Sequence, residues 1–140
     1  MSQEIRIHKI FLENSEINVS DPITFLEMSE YTGQTEMDCK SENKEIIYNE
    51  DEAYLVSLAF RFYTNVDNNP LYNITFVQSG IFSLKGYTDE ETKEILAVDC
   101  SQILLPYCRL HAEYMTKSTG LTPILIQEID FRNGYKNQKS

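Results

Sequence analysis

Positive charge is scarce in this sequence: 12 Lys and Arg stand against 22 Asp and Glu, for a net charge of −10. Such a chain repels phosphate backbones and anionic membranes and favours cationic partners, which argues against nucleic acid as a ligand. Acidity also serves solubility alone. Long apolar runs are missing too, since no stretch reaches the ~18 residues that a membrane-spanning helix needs. The start, "MSQEIRIHKIF", has no apolar block followed by a small-residue cleavage site, so a cytoplasmic location is expected. Cysteine is sparse. Cys39, Cys100 and Cys108 are odd in number and form no CxxC pair, which points to neither a disulfide framework nor a zinc site. All three read as small buried or half-buried side chains. Internal repeats and low-complexity segments are absent as well.

What is present suits a folded chain. Hydrophobic residues at 41% and charged residues at 24% exclude wholesale disorder. The length fits a single domain over residues 1–140, large enough for a real core.

The N-terminal half reads as four strands. Tyr54, Val56, Leu58, Phe60 and Phe62 alternate with Leu55, Ser57, Ala59 and Arg61, the period of two of a half-buried strand. "NVDNNP" then collects turn formers, and Tyr72, Ile74 and Phe76 resume the alternation, so the two strands are expected to form an antiparallel hairpin. Gly80 interrupts the second of them and suggests a bulge or a close approach. Upstream, "EIRIHKIFL" and "INV" make a first strand with an irregular middle at residues 13–15, and "TEMDCKS" makes a second. Residues 20–33, with Pro22 and Gly33 near the ends and no sustained period, read as a long crossing loop.

After Gly86 the period becomes helical. Thr88 followed by Asp89, Glu90 and Glu91 is a capping box, and a short helix is predicted to run to about Val98. Ser101 is a second candidate cap, which would place Pro106 near the end of a first turn, and this second helix should stop before Gly120. On it Ile103, Tyr107, Leu110 and Tyr114 form one ridge. Leu104, Cys108, His111 and Met115 form the next. Only Arg109, Glu113 and Lys117 mark a polar stripe, so more of the circumference wants burial than one four-stranded sheet can cover. Self-association is expected.

Cys108 and His111 are an i, i+3 pair and, with Cys100, the only neighbouring nucleophile-and-base candidates. A mid-helix cysteine has no helix N-terminus or basic cluster to lower its pKa, however, and no third residue orients the histidine. Core packing explains the pair better than catalysis. A small-ligand pocket would need convergent polar groups, and no motif marks them.

Three segments carry a family resemblance. "SGIFSLKG" (79–86), "CSQILLPYCRLHAEYM" (100–115) and "TGLTPILIQEIDF" (119–131) resemble, in the same order, blocks of the SecB family of bacterial protein-export chaperones. The resemblance implies an α+β fold: a four-stranded antiparallel sheet with a long helix and shorter helices packed on one face. It further implies a homotetramer, a dimer of dimers with long helices between two eight-stranded sheets, in which Leu104, Cys108, His111 and Met115 would lie at the interface between subunits. The activity implied is that of a holdase, which binds unfolded polypeptides in hydrophobic grooves without ATP or metal and keeps them soluble or competent for translocation. Carried over by position, the groove would include Tyr31, Met37, Cys39, Phe76, Phe131 and Tyr135, and an acidic rim would favour clients with basic segments.

Two departures stand out. The family docks the ATPase SecA on an acidic patch of the open sheet face, whereas here Glu16 keeps one acidic position and Ser20, Asn73 and Thr75 replace the rest. Gly134 weakens any helix in the tail by ~1 kcal/mol relative to alanine. A SecB-like branch that protects antitoxins in toxin–antitoxin systems is therefore an alternative to general export.

Overall fold

The computed structural model describes residues 2–19, 35–66, 69–119 and 124–139. Four strands, β1 (Glu4–Val19), β2 (Glu36–Tyr48), β3 (Asp51–Val66) and β4 (Asn69–Lys85), form one antiparallel sheet in the order β1-β4-β3-β2. Hairpins join β2 to β3 and β3 to β4. The first turns at Asn49 and Glu50, both with positive φ (52° and 70°), the twist that a two-residue hairpin turn demands. The crossing loop expected over residues 20–33 lies outside the described residues, as do Tyr31 and Ser20.

Strand β1 explains its own irregular pattern. Its pairing with β4 slips between Ile7 and Lys9 and again between Leu12 and Asn14, so His8 and Glu13 are extra residues in two bulges. Each bulge shifts the alternation by one. Ile5 and Ile7, then Ile10 and Leu12, then Ile17 and Val19 all reach the helix-facing side, as odd, then even, then again odd positions of the sequence. The irregular middle at 13–15 is the second bulge.

The helix-facing side of β3 and β4 supplies the core. Val56, Leu58, Phe60, Phe62, Ile74, Phe76 and Phe82 are buried, and the rings of Phe60, Phe62 and Phe76 stack with centroids 5.4–6.1 Å apart. Gly80 is not a bulge, because the β3–β4 register runs through it unbroken. It is a point of close approach to the long helix.

That helix differs from expectation. Thr88 caps α1 (Asp89–Glu94) with both halves of the capping box in place: Glu91 N–H donates to Thr88 Oγ1, and Thr88 N–H donates to Glu91 Oε1. No second cap follows. A π-helical stretch, Ile95–Asp99, carries the chain directly into α2 (Cys100–Ser118). Ser101 is fully buried, and its hydroxyl pairs with Ser41 of β2 at 2.9 Å instead of capping. Pro106 therefore sits inside a continuous helical run rather than near its first turn. It lies on the exposed side, where a missing backbone bond and a slight bend are least costly. The helix stops before Gly120, as predicted.

Beyond α2, Arg109 fastens the returning chain: its Nε donates to Ile126 O at 3.0 Å and its Nη2 to Glu128 at 2.9 Å. Asp130 then caps α3 (Phe131–Lys139), its carboxylate accepting from Asn133 N–H at 2.9 Å. This cap offsets the helix-weakening Gly134. The main support of α3 is the π-helical stretch. Burial of Phe131 contributes ~1.5–3 kcal/mol. Arg132 adds exposed ion pairs worth ~0.2–1 kcal/mol each.

Candidate functional site

A cleft of about 670 Å³ opens between the edge strand β2 and α3. Cys39, Ser41 and Asn43 of β2 form one wall; Ile129, Phe131 and Tyr135 form the other; Ala97 of the π-helical stretch lies at the base. Residues of β2 point here because those facing the helices alternate with those facing solvent, and Cys39 stands directly opposite the buried Phe60. Three of the residues implied by the resemblance, Cys39, Phe131 and Tyr135, thus meet in one place. Met37 lies two residues along β2 on the same face, 42% exposed, and extends the apolar surface. Phe76 does not join them. It is 1% exposed beneath α2, with His111 edge-on at 5.0 Å, and is a core residue. Ala97 and Ile129 went unnoticed in the sequence because only the docking of α3 creates the cleft.

Lys40, Lys93 and Asp130 also line this cleft, and none of the thiols in or near it is activated. Partial burial of the thiol pushes the pKa of Cys39 up to about 11, and burial pushes both Cys100 and Cys108 up to about 12. Thiols so raised are poor nucleophiles. His111 does not activate Cys108: its Nε2 pairs with Ser15 Oγ at 3.0 Å, and burial lowers its pKa. Among the described residues no cluster of His, Cys, Asp and Glu could hold a metal ion.

The helix ridges are distributed differently from the expectation. Leu104 and Cys108 are fully buried and Met115 is 3% exposed, all within their own chain against the sheet, so they are not an intersubunit surface. His111 is half-buried between α2 and β1. The open ridge is the other one, with Tyr107 46% exposed and Leu110 and Tyr114 each 69%. Both ridges are apolar, so helical periodicity could not choose between them; the gap over Gly80, which receives Leu104, makes the choice. Ile5, Ile7 and Leu12 of edge strand β1 are likewise exposed on the helix side of the sheet.

On the open face of the sheet, Glu16 accepts a hydrogen bond from Asn18 Nδ2 at 3.0 Å. Across the strands from it lie Thr75, then Arg61, then Asp38. Arg61 stacks 4.3 Å over the Tyr63 ring, and its Nε donates to Asn73 Oδ1 at 2.8 Å. This cation, read in the sequence only as part of the strand alternation, stands in the middle of the face.

The sequence model of the family described as preprotein translocase subunit SecB matches residues 1–140. The protein-export protein SecB of Orientia tsutsugamushi (strain Boryong) is 26% identical over 137 residues, covering 98% of this chain and 84% of that protein. The SecB of Chromobacterium violaceum is 25% identical over 135 residues, covering 96% and 87%. Among solved structures, a SecB-like chaperone of Mycobacterium tuberculosis, in complex with a peptide from an antitoxin, superposes with a TM-score of 0.69 over 89% of this chain and 90% of that one. At 15% identity that likeness is one of fold. With a match over its whole length and the sheet, long helix and C-terminal helix in place, this chain belongs to the SecB family.

Proposed function

We propose that this protein is an ATP-independent holdase that binds unfolded polypeptides in the cleft between β2 and α3. The cleft carries the reading: Ala97, Ile129, Phe131 and Tyr135 give it an apolar surface beside the polar Ser41 and Asn43 and the charged Lys40, Lys93 and Asp130, and it is bounded by a strand edge and a helix of nine residues. Such a site holds an extended chain through many weak contacts, with Met37 and the aromatic rings of Phe131 and Tyr135 adapting to different side chains. Family membership supports it, and SecB proteins are chaperones rather than enzymes. Residues 1–140 act as one cytoplasmic domain. Further copies of the chain cover the open ridge of α2 and the edge of β1, in a dimer of dimers. The test is aggregation of a chemically unfolded client followed by light scattering. A stoichiometric amount of the protein should suppress scattering without nucleotide or metal, and unchanged scattering would overturn the proposal.

Arg61 favours a second reading for the chaperone's place in the cell. A cation amid the face that carries Glu16 opposes docking of a basic SecA tail, and service to an antitoxin client needs no such docking. General export is the first reading and the toxin–antitoxin role the second. A toxin and antitoxin encoded beside the gene, with the antitoxin as the preferred client in the same assay, would reverse that order.

A further inference from the structure

Glu94 and Asp99 are separated by five positions. In a regular α-helix that spacing turns two side chains about 140° apart around the axis. Here the intervening chain is π-helical, with Cys100 N–H bonded to Ile95 O, and an i→i+5 repeat returns residues five apart to nearly the same face. Arg132, the second residue of α3, occupies that face. Its Nη1 donates to Glu94 Oε1, and its Nη2 lies 3.8 Å from Asp99 Oδ1. A planar guanidinium can bridge two carboxylates in this way, whereas a lysine ammonium is a single point of charge.

We propose that the π-helical stretch is a two-carboxylate socket and that Arg132 is the latch which seats α3 in it, setting the width of the client cleft. Arg132 is a positioning residue: it lines no part of the cleft itself, but Phe131 beside it and Tyr135 one turn on form the cleft wall. The inference rests on the reading of that cleft as the client site. All three charged side chains are about half exposed, so the latch is weak and sensitive to salt, which suits a wall that must yield to varied clients.

Two measurements test it on the full chain. Hydrogen exchange of the α3 amides, without client, reports seating. Dissociation of a reduced, alkylated unfolded protein reports the cleft. Arg132→Gln should speed α3 exchange and client release by roughly two- to fivefold each, the factor of an exposed ion pair, with association little changed. Glu94→Gln and Asp99→Asn should each do part of this. The charge swap Arg132→Glu with Glu94→Arg should recover part of the loss, and Arg132→Lys should recover less than the native arginine provides. Exchange in the native protein should rise between low and about 0.5 M salt, and in Arg132→Gln it should not. Unchanged α3 exchange in Arg132→Gln overturns the latch. Faster exchange with unchanged client release overturns its role in the cleft. A native protein that binds no client, while α3 exchange responds as stated, overturns the chaperone reading and leaves the latch as a feature of the fold.

Discussion

Gly80 of β4 and Leu104 of α2 are in such close approach that a Cβ on the glycine would stand 3.1 Å from Leu104 Cδ2 and 2.7 Å from Phe82 Cε2. The missing side chain lets the helix settle on the sheet and fixes which ridge faces inward. Gly80→Val should therefore overpack the junction and destabilise the protein by ~1–3 kcal/mol, read as a lower midpoint in urea. A midpoint equal to that of the native protein would show that α2 shifts freely and that the glycine does not orient it.

Two leucines on α2 separate core from surface. Leu104→Glu places a charge at a fully buried site and should unfold the chain or leave it aggregated. Leu110→Glu, at a site 69% exposed in the single chain, should leave secondary structure intact and dissociate the assembly, measured by multi-angle light scattering. A Leu110→Glu protein with the same mass as the native one would remove this ridge from the interface. A native protein that is monomeric at micromolar concentration would remove the assembly itself.

These cases also show what the sequence could reveal. The four strands, the Thr88 capping box and the stop before Gly120 follow from local patterns, and the structure has them all. The break expected at Ser101 does not exist because Ser101 looks like a cap in sequence but is recruited by Ser41, 60 positions away. Strand β1 looked irregular because two bulges reset its alternation, and only pairing with β4 reveals that Ile7, Ile10 and Ile17 share a side. The cleft was half legible. Cys39, Phe131 and Tyr135 came from resemblance, whereas Phe76 carries the same apolar signal as a groove residue and differs only in what lies on top of it.

His111 gives the protein a pH dependence whose sign is fixed. Burial holds its pKa below the ordinary 6.5, so the folded state disfavours the proton that the unfolded chain accepts. The stability due to the neutral imidazole is complete above 6.5 and is lost as pH falls below that value towards the folded-state pKa. The native protein should lose more thermal stability between pH 7 and pH 5 than His111→Asn, which retains a hydrogen-bonding group for Ser15. Parallel curves for the two proteins would assign the acid sensitivity to other groups.

Charge on the open sheet face should decide whether a basic peptide can dock there. Glu16, Thr75, Arg61 and Asp38 lie in one line across the four strands, so a basic peptide that approaches Glu16 meets the Arg61 guanidinium two strands away. Stacking on Tyr63 and the bond to Asn73 hold that guanidinium in place rather than letting it swing clear. Exposed pairs are worth only ~0.2–1 kcal/mol each, and an exposed repulsion of similar size cancels about one of them. The native protein should therefore bind the isolated basic tail of SecA poorly in titration calorimetry. Arg61→Gln combined with Thr75→Glu removes one repulsion and adds one attraction, a gain of ~0.4–2 kcal/mol, or roughly two- to thirtyfold in affinity. Client binding in the cleft on the opposite side of the sheet should be unaffected. Micromolar binding of the tail by the native protein would show that Asp38 and Glu36 along β2 supply the missing acidic contacts, and it would make SecA-linked export the secure reading.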